Sequence, residues 1–203
     1  VAACALVVAL SVGSLMGILR TTPNKWLVAL GNAWTELFRN IPLLVQLFLW
    51  YHVIPSMFLV LRGVPSFVLV VFALGFFTSA RISEQVKSGI RALPTGQRYA
   101  GLAMGLTLPQ TYRYVLLPMA YRIILPPLTS ETMNLIKNSS IALTIGLAEL
   151  TFRSREIGEY TFNFFEAFSA ATIIYIAIAM TANRVMAWIE RRAAVPGYIA
   201  GGK

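Results

Sequence analysis

The sequence predicts an all-α protein, a polytopic bundle of five transmembrane helices that forms a single domain over residues 1–203. Hydrophobic residues make up 57% of the chain and charged residues 12%, and the mean hydropathy is +0.69. A soluble domain of this length is far less apolar. Long charge-free runs alternate with short basic stretches, which is the pattern of helices that cross a bilayer.

Five segments are candidate spans, and four of them contain no Asp, Glu, Lys or Arg. In chain order they are residues 1–19, 40–61, 63–80, 123–148 and 167–183. A helix needs about 20 apolar residues to cross the hydrocarbon core. A cleaved signal peptide is an alternative for the first run. That run has no basic leader, however, and it ends at Arg20 rather than at a small-residue cleavage site.

The distribution of basic residues orients these spans. If the amino end is outside, the outer segments hold only Arg62, Arg153 and Arg155, and most other Lys and Arg residues lie inside. The positive-inside rule therefore predicts that the polar insert at residues 81–122 and the carboxyl terminus are cytoplasmic. The reverse topology would place the basic insert outside. The net charge of +9 lies at span edges without an aromatic-interleaved patch, which favours a lipid membrane over nucleic acid as the partner.

The insert at residues 81–122 reads as short helices joined by turns. Residues 83–90 and 97–106 are helix-competent, and Pro94 and Pro109 mark breaks between them. Its many basic residues are set against the single acid Glu84, which suits a cytoplasmic surface that contacts lipid headgroups or an acidic partner groove. An ordinary solvated loop is the alternative.

Motifs for catalysis are absent from the sequence. It contains no G-x-x-x-x-G-K-[ST] phosphate loop, no H-E-x-x-H and no G-x-S-x-G, and His52 and Cys4 are the only residues of their types. We therefore predict a non-enzymatic chain with no cofactor, no metal and no intrachain disulfide. Scattered catalytic residues would escape such a motif search.

The fourth candidate span carries two ionisable residues, Glu131 and Lys137. Each costs about 2.5–3.5 kcal/mol near the centre of a membrane helix unless it finds a partner or water. At about 3.6 residues per turn, Glu131, Asn134 and Asn138 share one face, and Lys137 lies about 120° away from Glu131. This stripe predicts a site for the polar ends of an amino acid. Alternatively, these groups hold neighbouring helices together by hydrogen bonds and an ion pair.

Within the insert, several spacings match a known family pattern. Tyr99-Ala100-Gly101 is followed by Gly105, and after nine further residues by Val115-x-Leu117-Pro118. This resembles the cytoplasmic coupling loop of binding-protein-dependent ABC importer permeases, E-A-A, three residues, G, nine residues, I-x-L-P. Tyr99 replaces Glu and Gly101 replaces Ala. The resemblance implies that the following residues contact an ATPase: Tyr99, Ala100, Gly101, Gly105, Leu117 and Pro118.

Two further stretches resemble the polar amino-acid permeases of this family. Residues 36–46, ELFRNIPLLVQ, are similar to E-L-F-R-x-x-P-L-L-V-Q, and Lys137-Asn138-Ser139-Ser140 is similar to K-D-T-S. Together with the stripe of the fourth span, they indicate candidate substrate-pathway residues: Arg39, Asn40, Gln46, Glu131, Asn134, Lys137, Asn138 and Ser139. Glu36 and Arg39, one helical turn apart, could instead pair with each other.

The resemblance implies a MetI-like fold with cytoplasmic coupling helices in a bacterial inner membrane. It further implies a permease subunit of an ATP-driven importer for polar amino acids, closest to glutamate/aspartate importers, working by alternating access. Expected partners are a second, related permease subunit, an ATPase dimer that carries ATP and Mg²⁺, and an extracytoplasmic binding protein. Uptake of a neutral or basic amino acid, a secondary transporter and a membrane enzyme are the alternatives.

Asn138 bears on the substrate. Since Asn138 stands where the family pattern has Asp, the site favours a neutral or anionic side chain. Arg39 or Lys137 would then face the substrate's carboxylate, and Glu131 its ammonium.

Overall fold

The computed structural model describes residues 1–193, and within that range the fold is entirely helical. The ten α-helices of this part of the chain are α1 (Ala2–Leu19), α2 (Lys25–Asn40), α3 (Leu43–Phe48), α4 (Ile54–Met57), α5 (Ser66–Arg91), α6 (Thr95–Ala103), α7 (Leu108–Thr111), α8 (Leu117–Asn138), α9 (Leu150–Thr161) and α10 (Phe164–Ala193). The predicted all-α class is confirmed. Lys203, which we predicted to be cytoplasmic, lies outside the described residues.

The centre of the bundle is α5, which packs most extensively against α1 and also contacts α2 and α8. Glycines in α1 allow this approach. A Cβ on Gly13 would lie 2.7 Å from the Ser79 carbonyl oxygen, and one on Gly17 would lie 2.6 Å from Cβ of Val86. Small residues of this kind let membrane helices pack at short distance, where dispersion contacts hold them together. The two helices therefore form a close-packed pair.

A sharp bend of 102° separates α2 from the segment Leu43–Met57. The bend falls at Ile41 and Pro42, because proline cannot donate the backbone hydrogen bond that would continue the helix. A π-helical turn at Leu49–Val53 then joins α3 to α4. After the bend, Leu43 and Leu47 of α3 pack against α5 in the core of the bundle.

The predicted insert is partly continuous with its neighbours. The separate helix expected at residues 83–90 is wrong, because α5 runs without a break from Ser66 to Arg91. Only α6 and α7 form short separate helices, after which a π-helical turn at Tyr112–Leu116 leads into α8. Ser88-Gly89 is a turn signal within this stretch, yet the helix continues through it. Gly89 packs closely against α8, where a Cβ would lie 2.5 Å from Ile124 Cγ2.

The carboxyl-terminal half consists of α8, α9 and α10. Two interior prolines, Pro126 and Pro127, lie within α8, and the chain continues past Asn138 as a 3-10 helix over Ser139–Ile145. Glu149 caps the amino end of α9 through the backbone N–H groups of Thr151 and Phe152. The long helix α10 is largely exposed along its apolar length, as suits a surface in contact with lipid.

Three described helices are long and apolar enough to cross a membrane, namely α1, α5 and α10. The bent pair of α2 and Leu43–Met57 would make a fourth if it counts as one span. The predicted span at residues 123–148 is not among them. Its helix contains Glu131 and Lys137, which lower its mean hydropathy, and it ends at Asn138. The count of five spans therefore stays a prediction.

Candidate functional site

A charged cleft opens between three helices. Its volume is about 340 Å³, and its walls are Arg39 from α2, Glu131 from α8, and Arg81, Glu84 and Gln85 from the carboxyl-terminal half of α5. Because α5 continues through residue 91, Arg81 and Glu84 lie one turn apart on the same helix and reach the same cleft. Two cations and two carboxylates therefore share one small space.

The ion pairs across this cleft are loose. Arg39 Nη1 lies 3.5 Å from Glu84 Oε1, and Arg81 Nη1 lies 3.9 Å from Glu131 Oε2. A charge-assisted hydrogen bond is about 2.7–2.9 Å long, so neither arginine is fully engaged. The arginine side chains are 57% and 43% exposed, whereas that of Glu131 is only 13% exposed. The cations face the open side of the cleft, with carboxylate behind them.

Arg81 is also held by an aromatic ring. Its guanidinium carbon lies 4.9 Å from the ring centroid of Phe77, one turn earlier on α5. Such a cation–π contact contributes about 0.5–1 kcal/mol at an exposed site. The ring limits the positions open to Arg81 without occupying its hydrogen-bond donors, which remain available to an acceptor in the cleft.

Beneath the cleft, Arg20 fixes Glu84. The Arg20 side chain is 4% exposed, and its Nη2 donates to Glu84 Oε1 at 2.7 Å. Its other donors reach Asn32 Oδ1 at 2.8 Å and Ser83 Oγ at 3.2 Å. A buried guanidinium requires such partners, because an unpaired buried charge is strongly destabilising. The network therefore ties the end of α1 to α2 and α5 directly under the cleft.

The predicted pathway residues do not all meet in this cleft. Arg39 and Glu131 line it, and the exposed Asn40 follows Arg39 at the end of α2. Lys137 is exposed on another face of α8. The remaining candidates on and after α8 are partly buried but do not line the cleft: Asn134, Asn138 and Ser139.

Gln46 has a structural contact that the sequence did not reveal. Its side chain is 2% exposed, and its Nε2 donates to the carbonyl oxygens of Phe38 at 2.7 Å and Ile41 at 3.0 Å. These two carbonyls lie at the broken end of α2, where the following helical N–H groups are missing. Gln46 thus satisfies the backbone at the bend.

The alternative pairing of Glu36 with Arg39 is wrong in this structure. Arg39 contacts Glu84 instead, and Glu36 forms no ion pair with any residue between positions 1 and 193. Spacing within one helix allowed the pair, but α5 brings a second carboxylate near Arg39.

The sequence interpretation missed Arg81, Glu84 and Arg20 as site residues. Arg81 and Glu84 were assigned to the insert and Arg20 to a turn. One signal was available, since no proline follows Ala80 until Pro94 and the pattern of α5 could have been extended. No local signal indicated that Arg20 is buried.

The predicted coupling residues lie on and around α6. Tyr99 is 69% exposed and Ala100 is exposed, so both are open to a partner. Gly105 has φ +83°, a left-handed conformation that favours glycine, and it ends the turn after α6. The last two predicted coupling residues, Leu117 and Pro118, are the first two residues of α8.

The replacement of the family's Ala by Gly101 has a structural reason. Gly101 is buried, and a Cβ at this position would lie 2.8 Å from Thr111 Cγ2. Thr111 is fully buried in α7. The absence of a side chain at Gly101 therefore lets α6 lie directly against α7.

The apolar helices and the charged cleft between them define a helical membrane protein. No group of three or more His, Cys, Asp or Glu residues in the described range could hold a metal ion.

The chain belongs to the family of binding-protein-dependent transport system inner membrane components, which it matches over residues 9–195. The family resemblance seen in the sequence is thereby confirmed.

Named relatives are amino-acid permeases. The chain is 47% identical over 208 residues to the glutamate/aspartate import permease protein GltJ of Escherichia coli, covering 98% of this chain and 85% of the relative. It is 33% identical over 183 residues to the glutamine transport system permease protein GlnP of Escherichia coli, covering 90% and 83%.

Solved structures share the fold. An amino acid ABC transporter crystallised with histidines matches with a TM-score of 0.80 and 30% identity, over 94% of this chain and 88% of the other. The inward-facing MetNI methionine ABC transporter matches with a TM-score of 0.77 at 23% identity, over 96% and 89%. The second match shows the fold alone.

Proposed function

We propose that the chain is a permease subunit of an ATP-driven importer that takes up polar amino acids, with glutamate and aspartate as its substrates. The observation that carries this proposal is the cleft in which Arg39 and Arg81 face open space with Glu131 behind them. An acidic amino acid has two carboxylates and one ammonium. Since Arg20 pairs with Glu84, these charges complement the remaining Arg39, Arg81 and Glu131. The similarity to a glutamate/aspartate permease supports the same substrate.

In this scheme the loose ion pairs are exchanged for contacts with substrate. Arg39 and Arg81 each turn from a glutamate of the protein to a carboxylate of the amino acid, and Glu131 accepts a hydrogen bond from the ammonium. The exchange costs little because the pairs at 3.5 and 3.9 Å are longer than strong charge-assisted bonds. A volume of about 340 Å³ suits a small ligand.

A neutral amino acid is the second candidate substrate. The glutamine permease among the relatives favours it. Glutamine would contact only one of the two arginines through a carboxylate, so we expect it to bind more weakly than glutamate.

ATP hydrolysis belongs to a partner in this proposal. Two ATPase subunits, which bind ATP and Mg²⁺, dock on the insert at residues 81–122, with Tyr99 and its neighbours on α6 in contact with them. A second permease subunit completes the pathway, and an extracytoplasmic binding protein delivers the substrate. Closure of the ATPase pair favours the outward-open state, because the insert contacts the two states differently.

The proposal also includes the topology. The chain crosses a bacterial inner membrane five times, with the insert and the carboxyl terminus in the cytoplasm. The bent segment around Pro42 counts as one span, and α8 with the following 3-10 helix counts as another. Glu131 is tolerated in α8 because it faces the cleft and Arg81 rather than lipid.

Reconstitution tests the proposal. The chain, its partner permease, the ATPase and the binding protein are placed in proteoliposomes, and uptake of labelled glutamate, glutamine and arginine is measured with and without ATP. We expect ATP-dependent uptake of glutamate above the other two. Uptake that needs an ion gradient but no ATPase would identify a secondary transporter, and turnover of a substrate by the chain alone would identify an enzyme.

A further inference from the structure

A second polar cavity lies away from the charged cleft, where α6 meets the rest of the molecule. Its volume is about 330 Å³. Three arginines line it, namely Arg20, Arg91 and Arg98. Thr21, Thr22 and Thr95 also line it, and the hydroxyls of Thr21 and Thr22 donate to the carbonyl oxygens of Ile18 and Leu19. None of the described residues that line it is acidic. The lining of the cavity is therefore positively charged.

Two of these arginines lack a compensating carboxylate. Arg20 is paired with Glu84, but Arg91 and Arg98 form no ion pair within the described part of the chain. The Nε atom of Arg98 is buried without any hydrogen-bond partner. A buried N–H group of a guanidinium is costly to leave unsatisfied, which indicates that an acceptor belongs beside it.

The amino end of α6 contributes to the same cavity. Thr95, the first residue of this nine-residue helix, lines it, and the preceding Pro94 provides no side-chain cap. The first backbone N–H groups of a helix attract anions, since they lack intrahelical acceptors and lie at the positive end of the helix dipole. A Cβ placed on Gly96, the second residue of α6, would have no neighbouring atom within 4 Å, so the space beside it is open.

We propose that this cavity binds a phosphate-type anion through Arg91, Arg98 and the first N–H groups of α6. Arginine is suited to this role because its planar fork matches two phosphate oxygens at once. The anion is either free phosphate or the headgroup of an anionic phospholipid, which have the same chemistry at the site. Thr21 and Thr22 also line the cavity, so the bound anion lies between α6 and the turn that joins α1 to α2.

The test uses the complex as it purifies, and it does not depend on which amino acid is transported. In the first arm, inorganic phosphate is titrated into the detergent-solubilised complex against chloride at equal ionic strength, and the midpoint of thermal unfolding is followed. In the second arm, the complex is placed in phosphatidylcholine vesicles with or without phosphatidylglycerol. A rise of the unfolding midpoint in the first arm that is lost on substitution of Arg91 and Arg98 identifies free phosphate. A rise of the midpoint in the second arm alone, lost on the same substitutions, identifies the headgroup.

The variants locate the site. The double substitution Arg91→Gln with Arg98→Gln should raise the anion concentration needed for a given rise of the unfolding midpoint about tenfold or more, since each charge-assisted contact contributes strongly to binding. The control Arg113→Gln removes one exposed charge of the same insert outside the cavity, and its response should equal that of the wild type. If the double variant does not fold, Arg91→Gln alone, at an exposed side chain, serves the same purpose.

Three results would overturn the proposal. The first is an unfolding midpoint that does not rise in either arm. The second is a rise of the midpoint that is equal in the wild type and in the Arg91 and Arg98 variants. The third is an equal loss of the rise on Arg113→Gln, which would indicate a general attraction to the basic surface.

Discussion

Arg20 illustrates how a single side chain can organise the region beneath the cleft. It is charged, yet it is almost fully buried, and it donates to residues of both α2 and α5. Without it, Glu84 would lose its shortest contact and would be free to close on Arg39. The openness of the cleft therefore depends on a residue that does not line it.

Glu84→Gln should destabilise the protein by about 2–3 kcal/mol, because it leaves the buried Arg20 charge without its carboxylate. The measurement is thermal unfolding of the detergent-purified complex. The matched control is Glu156→Gln, which removes an exposed i,i+3 partner of Arg153 and should cost less than about 1 kcal/mol. Equal effects of the two substitutions would contradict the structural role of Arg20.

Arg81→Gln should raise KM for glutamate uptake about tenfold or more, since one charge-assisted contact to a substrate carboxylate is lost. Lys137→Gln removes the same charge from an exposed position outside the cleft and should leave KM unchanged. The assay is uptake by the reconstituted complex over a range of glutamate concentrations. If Lys137→Gln raised KM and Arg81→Gln left it unchanged, the contact with the substrate's carboxylate would belong to Lys137 instead.

Asn138→Asp should lower uptake of glutamate and aspartate relative to that of a basic amino acid. A new carboxylate about two turns from Glu131 repels an anionic side chain in a region of low dielectric. Competition between labelled glutamate and unlabelled lysine measures the preference. Unchanged rate and preference would show that Asn138 has no part in selection.

At the scale of elements, α1 and α5 depend on close packing. Glycines in α1 bring its backbone against α5, and Gly75 in α5 does the same from the other side, where a Cβ would lie 2.7 Å from Val8 Cγ1. Interfaces of this kind contain little side-chain volume that can adjust. They should be sensitive to a single added methyl group.

Gly13→Ala should destabilise the chain by about 1–3 kcal/mol through overpacking. The added Cβ would lie 2.7 Å from the Ser79 carbonyl oxygen, a backbone atom that cannot move aside without shifting α5. Unfolding of the purified complex and its expression level are the measurements. Gly63→Ala is the control, as nothing lies within 4 Å of its Cβ position, and an equal loss there would contradict the packing explanation.

At the scale of the whole molecule, α6 and the loop before α5 should lie on opposite sides of the membrane. Two exposed methionines, Met104 after α6 and Met57 at the end of α4, test this orientation. In a Cys4→Ala background, Met57→Cys should react with an impermeant maleimide in spheroplasts, and Met104→Cys should react only after lysis. The reverse pattern would invert the topology and remove the ATPase contact from α6.

Much of the fold and part of the site were predictable from the sequence. The helical class and the apolar runs within α1, α5 and α10 follow from hydropathy, which is a local property, but the helix ends do not, since α5 extends to Arg91 and α10 covers Phe164–Ala193. The coupling pattern at residues 99–118 came from the family resemblance, and the contact of these residues with an ATPase stays a prediction. Arg39 was a candidate from the family resemblance and Glu131 from its position within an apolar run. Both line the cleft, and their contact with substrate stays a prediction. Lys137, chosen by the same reasoning, lies on another face of α8, because a charge within a helix does not specify which neighbour it meets.

The sequence by itself determined that the chain is a helical membrane protein of the importer permease family, since about 20 apolar residues and a fixed motif spacing need no distant partner to be recognised. Only the tertiary structure decided which charges meet. Arg20 and Glu84 are 64 positions apart in the chain, and their pairing exists because α1 and α5 pack through glycine. The same packing leaves Arg81 and Glu131 facing each other across an open cleft.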